Sequence, residues 1–174
     1  MRDMRWQDIP AVVALEQHVY PQTAWTVATW WAELAERPRR AYLVCTGREI
    51  DQELSPQIAG YAGVDIGGDE ADVMTITVDD AHRGTGIGAK LLGGLHDRAA
   101  RAGAGGILLE VRADNEPAQR LYARSGYAVI NRRRAYYQPE GVDAIVMRAD
   151  LSVASGGPLA TGTLSGSAED EGTG

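Results

Sequence analysis

Glu110 and Tyr122 are the side chains of this sequence best suited to moving protons between reacting groups. The carboxyl follows the apolar run 107–109, and the phenol lies twelve residues further on. A carboxylate emerging from apolar surroundings is expected to be partly desolvated, which strengthens it as a general base acting directly or through water. A phenol on the next element can return a proton to a leaving group, so the two together fit a direct transfer that needs no covalent enzyme intermediate. Upstream stands His82-Arg83-Gly84-Thr85-Gly86-Ile87-Gly88-Ala89, between a strand-like and a helix-like segment. Successive backbone N–H groups and a helix N-terminus can converge there on a phosphate group. Glycines let the phosphate approach the backbone and tolerate positive φ.

Three ligand readings of this segment compete with a plain glycine-rich turn. The mononucleotide-binding pattern fails, because Ala89 stands where a second glycine should precede Lys90, and Leu91 where a hydroxyl should bind magnesium. The dinucleotide fingerprint is formally met by Gly84-x-Gly86-x-x-Ala89, with Glu110 lying 21 residues beyond Ala89. Yet five residues separate Val78 from Gly84, whereas that fold runs its first strand almost directly into the first glycine. Three strand-like stretches also precede the segment here. The third reading rests on Arg83-Gly84-Thr85-Gly86-Ile87-Gly88. This resembles the coenzyme A loop of the GNAT acetyltransferases: Gln or Arg, two variable residues, Gly, one variable residue, then Gly or Ala.

A second constellation strengthens that resemblance. Leu109-Glu110-Val111-Arg112-Ala113-Asp114-Asn115 is followed by Ala118-Gln119-Arg120-Leu121-Tyr122, then Gly126-Tyr127, and later by Arg133-Arg134-Ala135-Tyr136-Tyr137. Over roughly residues 4–150 the chain is similar to the ribosomal-protein-alanine N-acetyltransferases, the RimI group of the GNAT family. The resemblance implies the GNAT acyl-CoA N-acyltransferase fold, acetyl-CoA as cosubstrate and no metal. It implies as acceptor the α-amino group of a protein N-terminus, an alanine of a small-subunit ribosomal protein. By the same resemblance Glu110 is the base and Tyr122 the acid, and Asn115 contacts the coenzyme. Arg83, Gly84, Thr85, Gly86, Ile87, Gly88 and Ala89 hold the pyrophosphate. Ile76, Thr77 and Val78 pair their backbone with the pantetheine arm, and the Val78 N–H can polarise the thioester carbonyl. Trp25, Tyr136 and Tyr137 wall the acceptor site. Ala24 replaces the family's proline before Trp25, Tyr127 replaces a phenylalanine, and an insertion occupies 47–56. The alternatives are the same chemistry on a small-molecule amine or another protein, and a non-catalytic acyl-CoA-binding module.

Periodicity supplies the framework on which these residues stand. Asp8 is expected to cap a helix with Pro10 in its first turn and Val12, Leu15 and Val19 on one face. A second short helix is expected at about 26–36, stopped by Pro38. Strands are expected at 40–46, 57–65 and 72–78, an antiparallel meander. Ile87, Leu91, Leu95 and Ala99 recur at helical spacing, and 107–111 reads as a buried strand, which makes a parallel crossover. A helix at 115–125, with Asn115 a candidate N-cap, and strands at 127–134 and 142–148 complete the order. The fold class is therefore α/β with a mixed, mostly antiparallel central sheet, one parallel crossover and helices on both faces. Residues 1–152 are read as one N-acetyltransferase domain. Residues 153–174, with six glycines and the acidic run Glu169-Asp170-Glu171, are read as a disordered tail.

Composition narrows the partners. A net charge of −7 argues against a domain built to grip nucleic-acid backbone, and an acidic body favours basic partners. The longest apolar runs are too short to span a bilayer, and no export signal opens the chain, so a cytoplasmic, monomeric protein without a membrane partner is expected. Cys45 lies in an apolar run and reads as a buried strand residue. His82 and His96 read as surface residues, and with His18 they make no metal spacing. Trp30 and Trp31 read as packing residues.

Overall fold

The computed structural model describes residues 1–47 and 57–151. The insertion and the C-terminal tail singled out in the sequence lie, but for Gly47, outside the described residues. Seven strands form one sheet in the order β1-β2-β3-β4-β5-β7-β6. They are β1 (Arg2–Asp3), β2 (Arg40–Thr46), β3 (Ile58–Asp65), β4 (Glu70–Val78), β5 (Gly106–Arg112), β6 (Ala128–Tyr137) and β7 (Val142–Asp150). Every neighbouring pair is antiparallel except β4–β5. The helices are α1 (Ile9–Val19), α2 (Val27–Ala35), α3 (Ile87–Arg101) and α4 (Glu116–Arg124).

Alternation along the strands divides the core between the two faces. Tyr42, Val44 and Tyr61 meet Val12, Leu15, Trp30 and Leu34 of α1 and α2 on one face. Leu43, Ala62, Ile107 and Leu109 meet Leu91, Leu92 and Leu95 of α3, with Tyr122 of α4, on the other. Cys45 is buried in this second core as expected.

Three local expectations need correction. Asp8 precedes α1 but does not cap it: its carboxylate accepts from the Arg5 backbone N–H at 2.7 Å and pairs with Arg2. Trp30 is fully buried, whereas Trp31 is 49% exposed and stacks on the exposed Trp6 instead of packing in the core. His82 and His96 are both half-buried, the latter with Nε2 2.9 Å from the Tyr127 hydroxyl.

Two strand irregularities give the sheet its opening. In β4, Val73 and Thr75 face the adjacent pair Val64 and Gly63, which leaves Met74 as an inserted residue. Such a bulge bends its strand and turns it away from a neighbour. In β6 the register jumps between Arg133, opposite Ala144, and Tyr137, opposite Val142. Ala135 there adopts φ 49°, and its N–H donates to Asp143 at 2.8 Å.

Candidate active site

The parallel pairing of β4 with β5 covers Glu70, Ala71 and Asp72 against Gly106, Ile107 and Leu108. The strands then part, and a cleft of about 420 Å³ opens between them. Met74 of the bulge, Glu110 of β5, Arg133 and both tyrosines of the β6 irregularity line it, with Asp72 where the β4–β5 pairing ends. The outer residues of β4 are paired to β3 on one edge only, so backbone groups on the other edge face the opening. Ile76, Thr77 and Val78 belong to this free edge, which suits an extended chain laid alongside as a surrogate strand. The Thr77 side chain points the other way, is buried, and donates to the Tyr61 hydroxyl at 3.0 Å.

Just past β4, residues 83–89 run from a short 3-10 turn at Asp80–His82 into α3. Gly84 and Gly86 take φ of 75° and 86°, and a Cβ on either would meet nothing within 4 Å. The backbone is therefore open to an approaching ligand at both points. Gly86 is the N-cap of α3 and offers no side-chain acceptor, so first-turn N–H groups remain for an anion, aided by the helix dipole. Gly88 differs, since a Cβ there would press on Leu121 of α4 at 3.1 Å. Its role is close packing of two helices. Arg83 pairs with Asp80 at 2.6 Å and is exposed at the loop rim. This arrangement fits the phosphates and the extended arm of a coenzyme A.

Glu110 reaches the cleft from the α1–α2 face of β5, because Leu109 and Val111, its sequence neighbours, point into the opposite core. The expected dry setting is not what surrounds it. Its side chain is 28% exposed and lies 2.9 Å from the Arg133 guanidinium, itself 52% exposed. Exposed pairs of this kind are worth at most about 1 kcal/mol, so Arg133 can swing aside at little cost. Arg133 also lies over the Tyr136 ring and Arg112 over the Tyr137 ring, at 5.5 and 5.3 Å. The Glu110 carboxylate raises the Tyr136 phenol by hydrogen bonding.

Tyr122 is brought near but not into the cleft lining. It is 6% exposed within the α3–α4 core, its ring 5.8 Å from that of Tyr127. Burial pushes its phenol well above the ordinary tyrosine range, helped by nearby Tyr20 and Tyr137. Tyr137 lines the cleft, so the phenol lies within electrostatic reach of it. Asn115 caps α4, its Oδ1 accepting from the Ala118 N–H at 3.2 Å. Trp25 is half-buried against Trp30, with ring centroids 5.1 Å apart, and is not among the cleft-lining residues. Among the described residues, no group of three or more His, Cys, Asp or Glu side chains is arranged to hold a metal ion. None of the described helices is long and apolar enough to cross a membrane.

The sequence profile of the acetyltransferase (GNAT) family matches residues 3–127, a span that takes in the splayed strands, the glycine turn, Glu110 and Tyr122. The chain belongs to the GNAT family. It is an acetyl-CoA-dependent N-acetyltransferase. Among relatives of this GNAT enzyme, the [ribosomal protein bS18]-alanine N-acetyltransferase of Escherichia coli K12 is 31% identical over 150 residues, covering 84% of this chain and 93% of that protein. The N-alpha-acetyltransferase RimI of Mycobacterium tuberculosis is 44% identical over 97 residues, 53% of this chain and 60% of that one. The crystal structure of the ribosomal-protein-S18-alanine N-acetyltransferase from Escherichia coli superposes with a TM-score of 0.73 at 29% identity, covering 86% of this chain and 92% of that one.

The sequence offered no direct sign of Arg133 beside Glu110, or of Met74 and Asp72 in the cleft. Gly63, a glycine inside a strand, was the available signal for the β4 bulge opposite it.

Proposed function

We propose that this GNAT enzyme transfers acetyl to the α-amino group of a protein N-terminus, an alanine of a small-subunit ribosomal protein, with Glu110 as base and Tyr122 as acid. The observation that carries the reading is the position of Glu110 in an open cleft at the parting of β4 and β5, beside two aromatic side chains. An open cleft admits an extended chain end, and aromatic walls restrict its first side chain to a small one. The activity named for the Escherichia coli relative, alanine N-acetylation of a ribosomal protein, agrees with this acceptor.

Bound acetyl-CoA supplies an acyl group already activated toward an amine. The loop 83–89 and the N-terminus of α3 hold its phosphates, while the free edge of β4 holds the arm. Glu110 removes the proton that the acceptor nitrogen sheds, once the Arg133 side chain beside it has swung aside. The Tyr122 hydroxyl keeps its proton across the working pH because burial holds the phenol up. The same dry surroundings raise the proton affinity of a departing thiolate, so donation from Tyr122 to sulfur stays within reach.

The test is incubation with acetyl-CoA and peptides, with the modified nitrogen located by fragmentation mass spectrometry. An alanine-initiated peptide should gain acetyl at its α-amino group faster than at an internal lysine. Faster modification of lysine side chains, or of small polyamines, would overturn the acceptor assignment and leave the acetyltransferase assignment standing.

A further inference from the structure

Glu16 of α1 is the most buried carboxylate among the described residues, at 4% exposure, and it makes no ion pair among them. It sits four residues after Val12, on the apolar face that packs against the sheet. Both oxygens are used. Oε1 accepts from the Tyr61 hydroxyl of β3, and Oε2 accepts from the Trp25 backbone N–H at 2.7 Å. The Tyr61 oxygen in turn accepts from Thr77 Oγ1 of β4 at 3.0 Å. A continuous buried chain thus runs from the segment before α2 to the strand that faces the coenzyme arm. Trp30 packs against both ends of the Glu16 junction, edge-on to Tyr61 at 5.2 Å and tilted on Trp25 at 5.1 Å. Burial pushes the Glu16 carboxyl up, opposed by the Trp25 N–H. Apolar side chains would fill this space at lower desolvation cost, which makes packing alone a poor reason for an acid here.

We propose that Glu16 is a positioning residue for acetyl transfer, locking the Trp25 segment on the acceptor side to Tyr61 and Thr77 beside the coenzyme strand. This rests on the proposed acceptor reading and on the place beside the acceptor that the family resemblance implies for Trp25, which in the structure packs on Trp30 and is not among the cleft-lining residues. Glutamine at this position keeps the shape but can accept from only one of the two donors with its single carbonyl oxygen. With its oxygen on the Trp25 N–H, its NH₂ meets the Tyr61 hydroxyl, which can turn to accept it, but both bonds lose their charge assistance and the Trp25 segment is held less tightly.

The experiment compares the full-length protein with Glu16→Gln and with the double variant Glu16→Leu/Tyr61→Phe, measuring melting temperature, acetyl-CoA Kd by calorimetry, and peptide KM and kcat. Glu16→Gln should raise peptide KM about tenfold to a hundredfold, as small misplacements of a binding segment do, while acetyl-CoA Kd stays within about twofold. The double variant replaces the Glu16–Tyr61 pair by apolar groups but takes the partners from the Trp25 N–H and the Thr77 hydroxyl, so it should fold with a modestly lower melting temperature and show the same KM defect. It keeps the test decisive if Glu16→Gln folds poorly. An active parent with unchanged peptide KM in the folded variants overturns the inference alone, as does a coenzyme Kd that weakens in step with KM. A parent that acetylates no peptide N-terminus overturns the acceptor reading and the inference with it.

Discussion

Glu110 shares its end of the cleft with a guanidinium, and an acceptor nitrogen must reach the carboxylate beside that cation. A free α-amino group, the proposed acceptor, has a pKa of about 7.7–8.0, so part of it is neutral at physiological pH and the rest would lose a proton on the enzyme. Glu110→Gln should therefore lower turnover about 100-fold to 10,000-fold with acetyl-CoA affinity little changed, and the deficit should shrink as pH rises and the amine deprotonates in solution. Tyr122→Phe should also slow turnover, but without recovery at high pH, because in the proposed mechanism its proton goes to the leaving sulfur. Rate–pH profiles of the two variants distinguish these roles, and a deficit in Glu110→Gln that is flat with pH would make Glu110 a substrate-positioning group. The twelve-residue spacing of these two side chains was legible because it falls within one strand, one turn and one helix. Arg133 was not, since its contact with Glu110 spans 23 residues and crosses β7. Glu16 was half-legible: an acid on an apolar helix face is visible in the sequence, but the two donors that receive it are not.

At the scale of elements, periodicity located the helices and strands to within a few residues, because all but the exposed β6 bury apolar side chains on one face or both. What periodicity does not carry is where pairing stops. The β4–β5 splay and the β6 irregularity depend on one inserted residue and on a side-chain bond from Asp143, neither of which alters the alternation enough to be seen. The two-residue β1 was also missed, being too short for a period. Its attachment makes a testable point about Asp8. Burial alone pushes the Asp8 carboxyl up, but hydrogen bonds from Arg2 at 2.6 and 2.7 Å and from the Arg5 N–H outweigh it and leave the group below its ordinary range. A carboxyl depressed in the folded state contributes stability that is present above its unfolded pKa and is lost as pH falls through the folded one. Asp8→Asn should thus cost about 1.5–3 kcal/mol near neutrality, the range for hydrogen bonds to a charged group. The gap in melting temperature should close as the solution is acidified below the usual carboxylate range. A gap of constant size across that titration would mean that Asp8 acts through shape and not through its charge.

On the scale of the whole molecule, charge is the feature that the sequence states most directly and that the cleft localises. The chain carries a net charge of −7, and two of its carboxylates, Asp72 and Glu110, line the cleft with Arg133 as the cation among the lining residues. Burial and the neighbouring Asp65, Glu70 and Glu110 raise the Asp72 carboxyl, so an incoming cation would relieve like-charge crowding there. A surface of this sign draws basic chains toward it and repels acidic ones, an influence exerted mainly on the rate of encounter and screened within about 8 Å at physiological ionic strength. An Ala-Arg peptide should consequently be acetylated faster than an Ala-Glu peptide at low salt, through kcat/KM and with kcat nearly equal. Raising the salt should narrow the ratio, because screening weakens both the attraction and the repulsion. Asp72→Asn should narrow it further while leaving acetyl-CoA Kd unchanged, since Asp72 lies in the part of β4 still paired with β5, before the free edge at 76–78 and the loop at 83–89. Initial rates for the two peptides at several salt concentrations measure all of this, and a ratio independent of salt would locate the preference in a fitted contact instead of in the field of the molecule.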